Sequence, residues 1–319
     1  MTTTTAVTTT TANTLATATG FDVSILAGSV SESTQRMYSR DFRAYLTFAG
    51  SFDAAMQPST LAQWRANLAN DTAMSPNTIN RMISAVKRLV KEAAAQGFVA
   101  HETAAAFARV DGVKVKALKE RQKATSRTAI TPAQMRAICT APDATSLAGK
   151  MHRALLATLA GSGLRVSEAV SLTTAQVHAG QDDDGRNGYF VTVMGKNETQ
   201  LTRRPLSAEA YGLIQEWLNA RSTVVVTPYI FTGFGGRGSR DPRSTPIASV
   251  SAWEIVQRYA KAADVPHVKP HDFRRFVGTR LAKKDVRLAQ KALGHKRIET
   301  TVQHYVLDDL PLTMTDGLY

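Results

Sequence analysis

The residues able to do chemistry gather in the second half of this 319-residue chain. Arg165 follows a Gly-Ser-Gly-Leu turn and leads into Val-Ser-Glu168. His271-Asp-Phe-Arg274 comes next, then Leu293-Gly-His295, with Tyr305 ten residues after that histidine. Between the first two stretches, Lys196 sits in turn material, Gly195-Lys196-Asn197. Two guanidinium forks match phosphate oxygens in bidentate fashion. Two imidazoles move protons or donate hydrogen bonds near neutral pH. A lysine with a lowered pKa donates a proton, and a deprotonated tyrosine forms a covalent ester. The set has neither a carboxylate cluster for Mg²⁺ nor a His/Cys array with zinc spacing. It therefore predicts a phosphoryl transfer in which Arg165, Arg274 and Lys196 supply the positive charge, with no metal and no cofactor.

These residues need elements to hold them. Met151 to Ala160 reads as an apolar helix ended by Gly161-Ser162-Gly163, which delivers Arg165. Tyr189 to Met194 reads as a strand, with a return strand from Leu201. Ser207 is placed to cap a helix carrying Tyr211, Leu213, Ile214 and Trp217, and Ser249 to Ala263 reads as another helix. The last stretch alternates short helices and turns. Upstream, Ser31 to Ala49 places Tyr38, Phe42, Tyr45 and Phe48 at helical spacing, and Ser59 is placed to cap a short helix with Leu61, Trp64 and Leu68. Ser75-Pro76 opens the clearest helix, with Ile79, Met82, Ile83, Val86, Leu89 and Val90 on one face and Gly97 as its stop. Its other face carries Arg81, Lys87, Arg88 and Lys91. Thr131-Pro132 restarts helical structure after a basic stretch that includes Lys114 and Lys116. The expected organisation is a disordered Thr-rich tail (1–20), a helical domain (21–109), a basic linker (110–129) and a second domain (130–319). The fold class is mainly α with a small β-sheet.

Lys plus Arg number 39 against 26 acids, a formal net charge of +13. Such an excess predicts a polyanionic partner, nucleic acid first; a solvated surface is the plain alternative for any single charge. Forty-three per cent hydrophobic residues exclude a fibre or a wholly disordered chain. The single cysteine, Cys139, lies among apolar residues and reads as packing, which suits a cytoplasmic protein. No apolar run reaches ~18 residues, so no membrane span is expected. Gly233 to Gly238 fits G-x-G-x-x-G but runs into Ser-Arg-Asp-Pro-Arg, which cannot open a helix, so a dinucleotide site is rejected. A basic loop is expected there instead, with Arg237 and Arg240 as phosphate contacts.

In order and spacing, Gly-Leu-Arg165, Lys196, His271-x-x-Arg274, Leu-Gly-His295 and Tyr305 resemble the tyrosine recombinase, or lambda-type phage integrase, family. The resemblance is strong over 130–319 and weaker over the first domain, which is similar to the family's helical core-binding domain. It implies that Tyr305 attacks the scissile phosphate and holds a 3′-phosphotyrosyl bond. Lys196 would protonate the leaving 5′-oxygen, and Arg165 and Arg274 would clamp the non-bridging oxygens. His271 would assist proton transfer, His295 would hydrogen-bond the phosphate, and Glu168 would support the site from behind. It also implies duplex DNA with an attachment or inverted-repeat site, gripped by a two-domain clamp in a DNA-assembled homotetramer. The apolar tail residues Leu307, Leu310, Leu312 and Met314 would dock on a neighbouring protomer. The basic helical face and linker would contact DNA through Arg81, Lys87, Arg88, Lys91, Lys114 and Lys116. The sequence departs from the family at Arg275, where a histidine is common, and at Ala282-Lys-Lys-Asp285, which lacks a common glycine. A type IB topoisomerase-like relaxing enzyme and a non-catalytic DNA-binding protein on the same scaffold are the alternatives. The separate helical domain disfavours the first and the intact residue set the second.

Overall fold

The computed structural model describes residues 20–121, 130–181, 185–195, 200–221, 225–235 and 241–306. Lys196, Arg237, Arg240, most of the Thr-rich tail, residues 122–129 and the segment 307–319 lie outside the described residues. The chain divides into two compact units, Met1–Ser126 and Arg127–Tyr319. Among the described residues, no helix is long and apolar enough to cross a membrane.

The first unit is helical: α1 (Glu32–Ala49), α2 (Phe52–Ala55), α3 (Pro58–Asp71), α4 (Pro76–Ala95) and α5 (His101–Ala108). Ser31 and Ser75 cap α1 and α4 by accepting from the amides of Thr34 and Thr78, which satisfies donors that a helix start leaves orphaned. Ser59 does not cap α3. That helix starts two residues earlier than such a cap implies, at Pro58, with Gln57 in the cap position, because proline has the helical φ built in and no N–H to satisfy. Tyr45, Leu61, Trp64, Ile79, Ile83, Leu89 and Phe107 form the core, and the Tyr45 hydroxyl donates to the Ala55 carbonyl at 2.7 Å. The start of the stretch read as a linker is not loose. Asn80 exchanges two hydrogen bonds with the Val113 backbone, at 2.8 and 3.0 Å. Arg121 donates to the Thr72 carbonyl at 2.7 Å, and Leu118 packs on the core.

The second unit opens with α6 (Pro132–Thr140), α7 (Leu147–Ser162) and α8 (Val166–Val170). Thr131 and Gln134 close a reciprocal capping box at the start of α6. A three-stranded antiparallel sheet follows, β1 (Val177–Gln181), β2 (Asn187–Val193) and β3 (Thr202–Leu206) in that order. The sequence pattern predicts β2 and β3 but not β1, whose Val-His-Ala-Gly-Gln barely alternates in polarity. The segment joining β2 to β3 contains Lys196. Next come α9 (Ala208–Arg221), capped by Ser207, then β4 (Thr232–Phe234) and β5 (Pro242–Pro246) as an antiparallel pair. The G-x-G-x-x-G stretch thus starts inside a β ribbon. The unit ends with α10 (Ser249–Ala262), α11 (Pro270–Ala282), α12 (Val286–Leu293) and α13 (Ile298–Tyr305). Helix α7 is buried nearly all round, with Met151, Leu155, Leu156 and Leu159 fully enclosed, as its continuous apolar run requires. α9, α11 and β3 pack around it.

Candidate active site

Five helix ends, those of α7, α8, α11, α12 and α13, and one strand converge in the second unit. Helix α7 stops at Gly163, whose φ of 66° turns the chain sharply and sets Arg165 at the N-terminus of α8. Glu168, 8% exposed, accepts from the Arg165 backbone amide at 2.9 Å and from its guanidinium Nη1 at 2.6 Å. One buried carboxylate therefore starts the helix and aims the side chain. Asp272 plays a similar part at the start of α11, where it accepts from the Lys269 amide at 2.8 Å and from Arg275 Nη1 at 3.2 Å. The arginine at the position where the family often has histidine is thus held by its own helix.

Arg274 is 2% exposed. Its Nη1 donates to the Gly163 carbonyl at 2.8 Å and its Nη2 to the Leu293 carbonyl at 2.6 Å. It therefore ties the end of α7 to the end of α12 while keeping its full charge, since carbonyls neutralise nothing. Burial, then the cation of Arg165, push its pKa down, yet a guanidinium stays protonated at any ordinary pH. Nη2 also reaches His295 Nε2 at 3.3 Å, and His295 Nδ1 lies 2.9 Å from Thr301 Oγ1. Arginine can only donate, so Nε2 is the accepting nitrogen and the ring proton sits on Nδ1, pointing at Thr301. Burial, then Arg274 and Arg165, lower the His295 pKa to about 4, so the ring is neutral at pH 7. The His271 imidazole, more open to solvent, is also held below its ordinary range by the atoms packed around it and by Arg275 and Arg274.

Tyr305 is the last residue of α13 and only 3% exposed. Its ring stacks on His295 with centroids 5.3 Å apart, and its side chain interacts with Arg274. It lies against the backbone of α11 at Gly278: a Cβ there would fall among the ring carbons and 2.8 Å from Leu293 Cδ1. His304 is exposed and meets Tyr305 only edge-on.

Arg165, Glu168, His271, Arg274, His295 and Tyr305 thus come together in one place, while Lys196 lies outside the described residues. Two contributors were not singled out in the sequence. Thr301, fully buried, fixes the His295 tautomer; its place one helical turn before Tyr305 was the available signal. Arg204, 5% exposed, lies against Gly294. Strand alternation puts it on the same face as the core residue Leu206, a pattern that marks a buried cation.

The helix α4 candidates fare differently. Arg81 is paired with Asp41, which is 2% exposed. Arg88 pairs with Glu92 at 3.4 Å, and Lys87 donates to the Ala108 carbonyl at 3.2 Å. Lys91 and Lys116 are exposed. Lys114 lines an open cleft of about 450 Å³ with Asn80, Ser84, Lys87 and Asp111.

Residues 128–309 match the model of the phage integrase family. The chain belongs to that family. Residues 21–97 match the family's N-terminal SAM-like domain. Similar curated proteins include the tyrosine recombinase XerD of Neisseria meningitidis serogroup B, 31% identical over 176 residues, which are 54% of this chain and 56% of that protein. The tyrosine recombinase XerC of Pelobacter propionicus is 32% identical over 51% of this chain and 50% of its own length. These matches span about half the length of the relatives. Among solved structures, the XerH site-specific recombinase bound to palindromic difH substrate in a post-cleavage complex aligns with a TM-score of 0.64 at 16% identity, over 92% of this chain and 81% of that one. A lambda integrase dimer bound to a COC′ core site aligns with a TM-score of 0.59 at 17% identity, over 89% and 92%. The phage integrase fold, a helical unit followed by a mostly helical unit with a small antiparallel sheet, is therefore the architecture of this chain.

Proposed function

We propose that this chain is a site-specific DNA recombinase that breaks and rejoins strands through a tyrosyl ester. The observation that carries the reading is the enclosed Tyr305 side chain set against Arg274 and stacked on His295, with Arg165 and His271 beside them. In the reaction, the Tyr305 oxygen bonds to the scissile phosphorus as the P–O5′ bond breaks. The strand end becomes a 3′-phosphotyrosine and leaves a 5′-hydroxyl. Arg165 and Arg274 hold the non-bridging oxygens, where charge accumulates. His271 takes part in moving the phenolic proton, and Lys196 protonates the departing O5′. A phosphate set against the two guanidinium groups offsets their field, which raises the His295 pKa toward its ordinary range and favours a proton on Nε2 for the phosphate. The ester conserves the bond energy, so a 5′-hydroxyl from the same or another duplex reverses the step without ATP.

The partner is duplex DNA carrying an attachment or inverted-repeat site, and the exchanging assembly is a homotetramer. The basic composition and the DNA-bound state of the XerH and lambda integrase structures support the DNA partner. Covalent capture tests the reading. A duplex library with randomised inverted-repeat arms is incubated with the protein, denatured, and the strands that remain attached are sequenced. Wild type should trap a defined family of duplexes. Tyr305→Phe should bind the same duplexes and trap none; an adduct that persists in Tyr305→Phe refutes the assignment. Joined products from two captured duplexes, rather than relaxed circles alone, separate a recombinase from a relaxing enzyme.

A further inference from the structure

Resting on the recombinase reading, we propose that Arg204 is a positioning residue for His295: its guanidinium, laid against Gly294, ties strand β3 to the Leu293-Gly294-His295 turn.

Arg204 stands opposite Val191 in the sheet and is 5% exposed. Gly294 ends α12 with a φ of 65°. A Cβ built on it would fall on the Arg204 guanidinium, with Nε 2.9 Å away. Gly294 is therefore required both by its backbone angle and by the cation over it. From another side the same turn is held by Arg274, which donates to the Leu293 carbonyl at 2.6 Å. It is closed on itself by Gln290, which accepts from the His295 amide at 3.1 Å through its carbonyl and donates to the His295 carbonyl at 3.1 Å through its side chain. Packing alone does not account for an arginine here. A β-branched apolar residue would fill an inward strand position without the cost of drawing a cation out of water. What arginine adds is a flat, rigid group able to lie on a residue with no side chain, and a charge that lysine would place differently. That charge also faces the His295 ring, where it adds to the larger effects of Arg274 and Arg165 in keeping the imidazole neutral.

The test uses Arg204→Lys in the full chain, with wild type alongside. Three readouts apply: binding of the captured duplex, single-turnover cleavage of it at saturating DNA, and the His295 ring resonances of DNA-free ¹⁵N-histidine protein. A displaced reacting group costs on the order of 10- to 100-fold in rate, so cleavage should fall by that factor with binding unchanged and the His295 resonances shifted. A duplex with sulfur at the bridging 5′ position, whose thiolate leaves without a proton, should not restore the rate, because the defect lies at the non-bridging oxygens. Restoration by the thiolate, or a rate indistinguishable from wild type, overturns the proposal. If Arg204→Lys does not fold, Arg204→Met takes its place. Loss of folding in both makes Arg204 a packing residue and also overturns it. If wild type traps no DNA, the recombinase reading fails, and the His295 resonances decide alone: moved in Arg204→Lys they support the positioning role, unmoved they overturn it.

Discussion

Helix α4 and the convergence around Arg274 both carry several cations, and in each some meet carboxylates (Arg81 and Arg88; Arg165 and Arg275), yet the most buried guanidinium of each is held in a different way. On α4, Arg81 and Arg88 each meet a carboxylate, and Lys87 a carbonyl at the surface. Around Arg274, the hydrogen-bond partners of the most buried guanidinium include two backbone carbonyls and a ring nitrogen. The first arrangement is complete within the protein. The second fixes the guanidinium without cancelling it, so the unit stores positive potential where water is scarce and an anion gains most. The number of basic residues on a face says little about anion binding; the identity of their partners says much more.

The sharpest way to break this contrast is Arg274→Ala. Loss of one preorganised donor costs ~100- to 1,000-fold in rate, so the covalent adduct should fall by at least that factor at saturating DNA. A quench-flow assay with the captured duplex measures it, and adduct formation within tenfold of wild type would remove Arg274 from the chemistry.

A second test separates charge from burial as the cause of a low histidine pKa. His152, 8% exposed and bonded to the Tyr259 hydroxyl at 2.9 Å, has a pKa lowered to about 4, first by burial and then by Arg258. The unfolded chain binds the extra proton at about 6.5, so between the two values it holds more protons than the native state. Stability should therefore fall as pH drops from about 6.5 to about 4, by up to about 3 kcal/mol. Urea midpoints at neutral and acidic pH should show this slope in wild type and a reduced slope in His152→Phe; equal slopes would discount the group. On the proposed mechanism, added DNA should raise the His295 titration midpoint, because Arg274 and Arg165 beside it would meet the phosphate, and leave that of His152 in place.

Arg81→Ala should destabilise the first unit by about 2 kcal/mol, because Asp41 loses a charge-assisted partner in a buried position. Duplex affinity of the folded variant should hardly change. A large loss of affinity without loss of stability would reassign Arg81 from the fold to DNA. The smallest effect belongs to Lys91→Ala. Its exposure predicts a change in stability within ~0.5 kcal/mol, and, where it meets a phosphate, a salt-dependence slope lower by about one.

Much of this was legible in the sequence for physical reasons that can be named. Ser31, Ser75, Thr131 and Ser207 announce helix starts because a side-chain oxygen next to an apolar run has one common use. The order Arg165, His271, Arg274, His295, Tyr305 announced the site because few chemistries need those groups together. What stayed hidden depended on partners distant in the chain. Arg81 and Arg88 look alike in sequence, and only the tertiary approach of Asp41 separates them. Asn80 reaches Val113 across a stretch whose composition reads as a tether. Arg204 was readable as inward-facing from its strand, but its neighbour, Gly294, lies on a turn far along the chain. β1 lacked alternation because His178, Gly180 and Gln181 contribute little apolar surface.

Gly278 has a consequence for anyone who would diversify this protein. Libraries are usually aimed at residues with functional groups, and a helix-interior glycine looks like an invitation to improve stability by adding a methyl. Here that methyl would occupy the space of the Tyr305 ring. Some of the positions least open to change are therefore defined by missing atoms, and a selection scheme that diversifies α11 should hold residue 278 fixed together with His271, Asp272 and Arg274.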